Sequence, residues 1–315
     1  MKNKIIFVSS QKADYNNFIL IKKILKKKFN LKHFHYNYKF SKKIFSNKKK
    51  TNKYLKKNLK YTFNKSKLII TGTSNYYLEK QVWMHCNENS LKCLTILDSW
   101  VNLKRRFNSM ILPNYIIMPN GKYSNSFLKL IKKKTKIFFT GNFFLNYIYN
   151  YKFNKKKKNI LFLTSKRNNN EDYNFIKVLS NHIKDKKIYI KIHPKEIERP
   201  WLKKLNLLIN SKKNIKISKG SLVQNLSKCH YVFGIYSMAL LSAMLAKKRV
   251  ITKLPNSNKK EYLYYILKKY AFKFDQTQIK NNFSKKKSKI SNLKKIYEDP
   301  KIKLIKIIDD ICNSD

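Results

Sequence analysis

Lys67-Leu-Ile-Ile-Thr-Gly-Thr-Ser74 opens the stretch that decides the fold. A helix-patterned run over residues 78–89 follows it, and then Cys93-Leu-Thr-Ile-Leu-Asp98-Ser-Trp100. The pattern passes from a continuous apolar run to a helical period and back. A strand covered on both faces reads as an unbroken apolar run, whereas a helix lying on a sheet keeps one polar side. The stretch therefore predicts a βαβ unit with parallel strands.

The same alternation extends in both directions. Residues 4–10 form an apolar strand, and 18–29 a helix with Ile19, Leu20, Ile24 and Leu25 on one face. Residues 36–66 are lysine-rich and weakly patterned, with one short helix expected near 54–59. A strand at 115–118 is stopped by Pro119-Asn-Gly121, and another at 136–140 leads through Gly141 into a helix at 143–149. After the charge run 154–158 the alternation restarts, with strands at 159–165, 188–193, 214–218, 231–234 and 249–252. Helices are expected between them at 173–183, 201–210, 222–227 and 238–246. The class is α/β, with two Rossmann-like domains built on parallel sheets, over 1–153 and 154–260. The C-terminal helices, 261–315, are expected to pack back on the first domain.

Composition narrows the function. The chain has 315 residues, 43% hydrophobic and 14% aromatic, so it can bury a core despite a formal charge of +56. Lysine supplies 67 of the 72 basic residues; the arginines are Arg105, Arg106, Arg167, Arg199 and Arg249. Lys, Asn, Ile, Tyr and Phe are enriched together, the mark of an A/T-rich coding sequence, and base-edge readout favours Arg. Specific nucleic-acid binding is therefore not expected, although the field attracts polyanions and anionic membrane surfaces. Cys86, Cys93, Cys229 and Cys312 lack metal or redox spacing and read as buried thiols, with no metal site expected. No secretion signal is evident, and the longest apolar stretch, 232–246, is too short to span a bilayer. The expected location is the cytoplasm, with peripheral contact at the inner membrane. Neither GxGxxG nor a Walker A loop is present, which disfavours nicotinamide enzymes and P-loop NTPases.

The chain has five glycines, and Gly72, Gly141 and Gly234 each lie just past an apolar strand, where a βα turn needs positive φ or close backbone approach. In Lys191-Ile-His193-Pro194, alternation puts Lys191 and His193 on one face and proline ends the strand, so His193 should project at the carboxyl edge. An imidazole there can donate to a leaving phosphate, or simply satisfy the turn. Ser237 precedes an apolar helix whose N-terminus favours an anion, and serine is also an ordinary N-cap. The carboxylates of residues 1–150 are Asp14, Glu79, Glu88 and Asp98. Asp98 is the first candidate for a general base, because a carboxylate at a strand end can be held and partly desolvated. It could instead pair with Arg105 or Arg106.

A strand ending in His193-Pro194, followed by Gly234-Ile-Tyr-Ser237 before an apolar helix, is similar to the C-terminal half of GT-B glycosyltransferases. The likeness is strongest to bacterial polysialyltransferase and CDP-glycerol glycerophosphotransferase relatives, and to UDP-N-acetylglucosamine 2-epimerase-like proteins. Gly72-Thr-Ser74, Glu79 and Leu97-Asp98-Ser-Trp100-Val-Asn102 with Arg106-Phe107 resemble surface-polysaccharide proteins of the same group. The resemblance implies transfer of a sugar or glycerophosphate from a nucleotide-activated donor, bound between the two domains without a cofactor, to a glycan or lipid-linked acceptor. It implies donor and phosphate contacts from Gly72, Thr73 and Ser74, and from Lys191, His193, Lys195, Gly234 and Ser237. Asp98 and His193 would be catalytic, with Asp14, Glu79, Trp100, Asn102 and Arg106 on the acceptor side. Many relatives carry a ribose-binding Glu where Ser242 stands here, which opens the donor to CMP- or CDP-linked compounds.

Two alternatives stand beside the transferase. An epimerase needs several carboxylates and a histidine converging on the sugar. A non-catalytic polyanion binder needs neither Asp98 nor His193, and its affinity falls steeply with salt.

Overall fold

The computed structural model describes residues 2–73, 77–107, 111–153, 159–165, 169–193, 201–255, 261–274 and 293–314. The chain divides into two compact units, Met1–Tyr147 with Lys294–Asp315, and Ile148–Leu293.

The first unit is a six-stranded parallel sheet ordered β2-β1-β3-β4-β5-β6, made of β1 (Lys4–Ser9), β2 (Asn30–His35), β3 (Leu68–Thr71), β4 (Cys93–Ile96), β5 (Tyr115–Pro119) and β6 (Lys136–Thr140). Its connections are α1 (Lys12–Leu25), α2 (Tyr38–Phe40) with a π-helix over Ser41–Phe45, α3 (Lys48–Asn58), α4 (Lys60–Asn64), α5 (Tyr77–Glu88), α6 (Leu103–Arg106) and α7 (Asn125–Lys132), and the unit boundary after Tyr147 falls within α8 (Phe143–Asn150). Side chains alternate across β1: Ile6 and Val8 join Phe45, Leu55, Phe63 and Trp83 on one face. Ile5 and Phe7 join Phe18, Ile21 and Leu25 on the other.

Helix α1 begins and ends earlier than its apolar pattern predicts. Its buried stripe is Asp14, Asn17, Phe18, Ile21 and Leu25, while Ile19, Leu20 and Ile24 are half-buried. Strand β2 is absent from the sequence expectation because NLKHFH is an edge strand, half in water, with no continuous apolar run.

The second unit repeats the architecture with β7 (Asn159–Leu163), β8 (Ile188–Lys191), β9 (Ile215–Ile217), β10 (Cys229–Gly234), β11 (Arg249–Thr252) and β12 (Phe272–Lys273), ordered β12-β11-β10-β7-β8-β9. Its helices are α9 (Asn169–His182), α10 (Trp201–Asn210), α11 (Leu222–Ser227), α12 (Met238–Leu245) and α13 (Tyr262–Tyr270).

The contacts divide the chain after Tyr147 and Leu293 rather than at the expected 153 and 260. Helix α13 stays in the second unit, packed on α12, because Leu263, Ile266 and Leu267 are buried there. The chain rejoins the first unit at α14 (Lys294–Tyr297) and α15 (Lys301–Asn313). Leu304, Ile307, Ile308, Ile311 and Cys312 recur at helical spacing and bury one stripe of α15 in the α1 face of the core. All four cysteines are buried free thiols. Among the described residues, no helix is long and apolar enough to cross a membrane.

Candidate functional site

In open parallel sheets, ligands bind outside the carboxyl ends of the strands where the strand order reverses. The first sheet reverses between β1 and β3, the second between β7 and β10. Each reversal collects polar residues.

Beyond β1, Ser10 donates its hydroxyl to Glu79 Oε1 at 2.6 Å. Beyond β3, Gly72 lets the chain pass against the Asp14 carboxyl group: a Cβ there would lie 2.1 Å from Asp14 Cγ. Beyond β4, Asp98 forms an ion pair with Arg106, which also donates to Thr73 Oγ1 (2.6 Å) and Ser99 Oγ (3.0 Å). The Asn142 side-chain amide donates to the Asp98 carbonyl at 2.7 Å, and its oxygen caps Leu145 at the start of α8. This backbone anchor holds Asp98 at the strand end. Three carboxylates and one guanidinium thus share the carboxyl edge of β1, β3 and β4.

Burial separates their roles. Glu79 is 0% and Asp14 3% exposed, whereas the Asp98 and Arg106 side chains keep 17% and 13% of their surface in solvent. Burial, with the charges of Asp98 and Glu79 added, raises Asp14 well above the usual carboxylate range; Arg106 and the Thr73 backbone pull the other way. Asp14 Oδ2 has no hydrogen-bond partner among the described residues.

A carboxyl group that holds its proton longer in the fold than in the unfolded chain favours folding fully below the unfolded value. That contribution is lost as pH rises toward the folded value. Asp14→Asn mimics the protonated form, so the variant is expected to melt higher than the parent at pH 7 and to lose less stability as pH rises above about 4, in calorimetry.

In the second unit, the His193 N–H donates to Thr164 Oγ1 at 2.8 Å, fixing the end of β8 against that of β7. Asp172, fully buried at the start of α9, accepts from the Ser165 N–H at 2.7 Å and holds the turn after β7. Gly234 brings β10 close to β7: an added Cβ would stand 2.7 Å from the Leu163 carbonyl oxygen. Ser237 caps α12 by accepting from the Ala239 N–H at 3.1 Å. Lys191 Nζ donates to the Gly220 carbonyl at 2.7 Å, and burial lowers its pKa. Tyr236 donates its hydroxyl to Glu261 Oε2 at 2.7 Å.

No family model matches the chain, and no curated protein matches its sequence. Solved structures do. The Staphylococcus aureus MnaA–UDP co-structure superposes with a TM-score of 0.67 at 14% identity, covering 99% of this chain and 97% of that one. UDP-N-acetylglucosamine 2-epimerase from Rickettsia bellii gives 0.64 at 11% identity, with 99% and 98% covered. Anabaena Alr3699/HepE in complex with UDP-glucose gives 0.59 at 12%, with 98% of each chain covered. The chain has the GT-B fold.

On this GT-B frame the expected residues divide cleanly. In the first unit Asp14, Gly72, Thr73, Glu79, Asp98 and Arg106 converge. In the second, Gly234 and Ser237 lie at the reversal of the sheet, with His193 beside it at the end of β8. Lys191 is drawn aside to the turn at Gly220, whose φ is +90°. The φ > 0 alternative does not apply to Gly72 or Gly234; each serves close approach. Ser74 and Lys195 lie outside the described residues.

Trp100 is a core residue, 3% exposed with its indole N–H on the Pro119 carbonyl at 3.3 Å, so it offers no wall to an acceptor. Asn102 takes φ +58° to turn the chain into α6, a backbone role that asparagine tolerates. Ser242 is 2% exposed and donates to the Met238 carbonyl at 3.2 Å.

Sequence reasoning missed Ser10, Ser99, Thr164 and Asp172, small polar residues at strand and helix ends whose partners are remote in sequence. It also missed His33 and His35, which share the Ser9 hydroxyl at 3.0 and 2.9 Å. Burial, with Lys22 and His35, lowers His33 to about 4. Their alternate spacing was the only signal.

Proposed function

We propose that this chain transfers a sugar, or a glycerophosphate, from a nucleotide-activated donor to a hydroxyl group of a surface-polysaccharide or lipopolysaccharide acceptor. The solvent-reaching Asp98 carries the reading: of the three clustered carboxylates, its side chain alone keeps appreciable exposure. Transfer to a hydroxyl removes one proton, and one reachable carboxylate, oriented by Arg106, suffices for it. The bond from the transferred group to the leaving phosphate breaks with its electron pair on the phosphate. The acceptor oxygen takes its place, and the acceptor proton passes to Asp98. Charge growing on the leaving phosphate is met by His193 and the N–H groups opening α12, and no metal or redox cofactor is needed.

Two opposed observations bear on the donor nucleotide. The similar MnaA and HepE structures hold UDP or UDP-glucose, which favours a uridine donor. Ser242 in place of Glu leaves a cytidine donor as the other arm of the test. Thermal unfolding with UDP, CDP and CMP is expected to show a rise with one of them, about 2.7 kcal/mol at a hundredfold excess over Kd. The rise should be lost in His193→Ala. No rise with any nucleotide, or an equal rise with inorganic polyphosphate, overturns the reading.

One observation favours a second reading, sugar-nucleotide 2-epimerisation: Asp14, Glu79 and Asp98 converge as an epimerase requires, and the UDP-N-acetylglucosamine 2-epimerase from Rickettsia bellii shares the fold. Reaction in deuterium oxide separates the two. Deuterium at the sugar carbon without acceptor supports epimerisation, and acceptor-dependent nucleotide release supports transfer.

A further inference from the structure

Between Tyr15 and Leu78 the chain carries 18 lysines and no carboxylate. The structure gathers part of that charge around an open groove of about 790 Å³ between α1 and the edge strand β2. Phe29, 5% exposed, forms the floor, with half-buried Ile19 and Leu31 beside it. Lys22 and Lys23 on α1, with Lys26 capping its C-terminus, form the rim. Lys23 and Lys26 are exposed. Lys28, by contrast, is tied to Asp309 on α15 and contributes no free charge.

We infer that this face docks on an anionic lipid bilayer, with headgroup phosphates on the lysine rim and the apolar floor toward the acyl boundary. Charge complementarity selects an anionic occupant, and the apolar floor selects among anions. A bilayer presents both phases in one surface. Single-stranded nucleic acid would call for exposed aromatic faces to stack bases, and the one ring lining the groove, Phe29, is buried. The rim has no arginine, so it offers point charges rather than planar forks. The inference concerns the α1–β2 face and stands whether the strand ends carry out transfer or epimerisation.

Co-sedimentation with vesicles of phosphatidylglycerol in phosphatidylcholine, at about 0.15 M salt, tests it. Each lysine near such a surface is worth roughly fivefold in binding, so Lys22→Gln with Lys23→Gln and Lys26→Gln should cost roughly a hundredfold. The same number of charges removed from the second unit, Lys203→Gln, Lys204→Gln and Lys216→Gln, should cost only a few-fold. Ile19→Ser, which leaves the charge unchanged, should weaken vesicle binding several-fold. Equal losses from both triple variants overturn the proposal in favour of diffuse charge. So does an unchanged Ile19→Ser variant whose rim lysines matter as much for a single-stranded oligonucleotide as for vesicles. Should the rim triple variant unfold, Lys23→Gln with Lys26→Gln, both at exposed positions, decides the same question.

Discussion

Asp98→Asn is expected to lower turnover about a thousandfold, the usual cost of removing a positioned general base. Asparagine keeps the size of the side chain and an oxygen that can still accept from Arg106, so the strand end and the Asn142 anchor remain in place. Nucleotide binding, assigned to the second unit, should be unaffected: the thermal shift with the preferred nucleotide stays within experimental error of the native value while kcat falls. This split separates loss of a base from loss of the site. Turnover within about tenfold of native would remove Asp98 from the chemistry.

Arg106→Ala is the second large effect, and it acts on stability as well as catalysis. The guanidinium is mostly enclosed and is the cation facing Asp98, with further bonds to Thr73 and Ser99. Its loss leaves Asp98 charged beside Asp14 and Glu79, and breaking a largely buried pair in this way costs about 3 kcal/mol. For a unit of this size that is a fall of about 10 °C in melting temperature at pH 7. The sign with pH is fixed: Arg106 pulls the buried Asp14 carboxyl group toward its charged form, so the deficit should shrink as pH drops and Asp14 takes up its proton. Arg106→Lys should recover part of the stability and little of the activity, because an ammonium cannot span Asp98, Thr73 and Ser99 at once. A deficit that is the same at pH 4 and pH 7 would mean that the side chain contributes packing rather than charge.

The elements most legible in the sequence were those whose local pattern is imposed by burial. Parallel strands covered on both faces read as unbroken apolar runs, as in Ile160–Leu163 within β7 or Leu68–Ile70 within β3, and α10 and α11 were legible to the residue. Where burial is partial the pattern fades. Strand β2 has one open edge and half-exposed side chains, and α7 buries only Phe127 and Ile131, one turn apart. Acid scarcity made the first site legible: four carboxylates in 150 residues left few places to look. It could not separate a base from a buried structural carboxylate, since Asp14, Glu79 and Asp98 all follow strands or start helices.

From its local periodicities alone, the sequence determined that the chain is two successive parallel α/β units with polar groups gathered at strand ends. Apolar period and turn chemistry are properties of neighbours along the chain, and they survive even a charge of +56. Only the tertiary structure decided that the sheets reverse between β1 and β3 and between β7 and β10. It alone decided that Gly72 admits the Asp14 carboxyl group, that Arg106 neutralises Asp98, and that Trp100 is core. Strand order and degree of burial arise from contacts between residues remote in sequence, and no local period encodes which of several similar carboxylates will meet water.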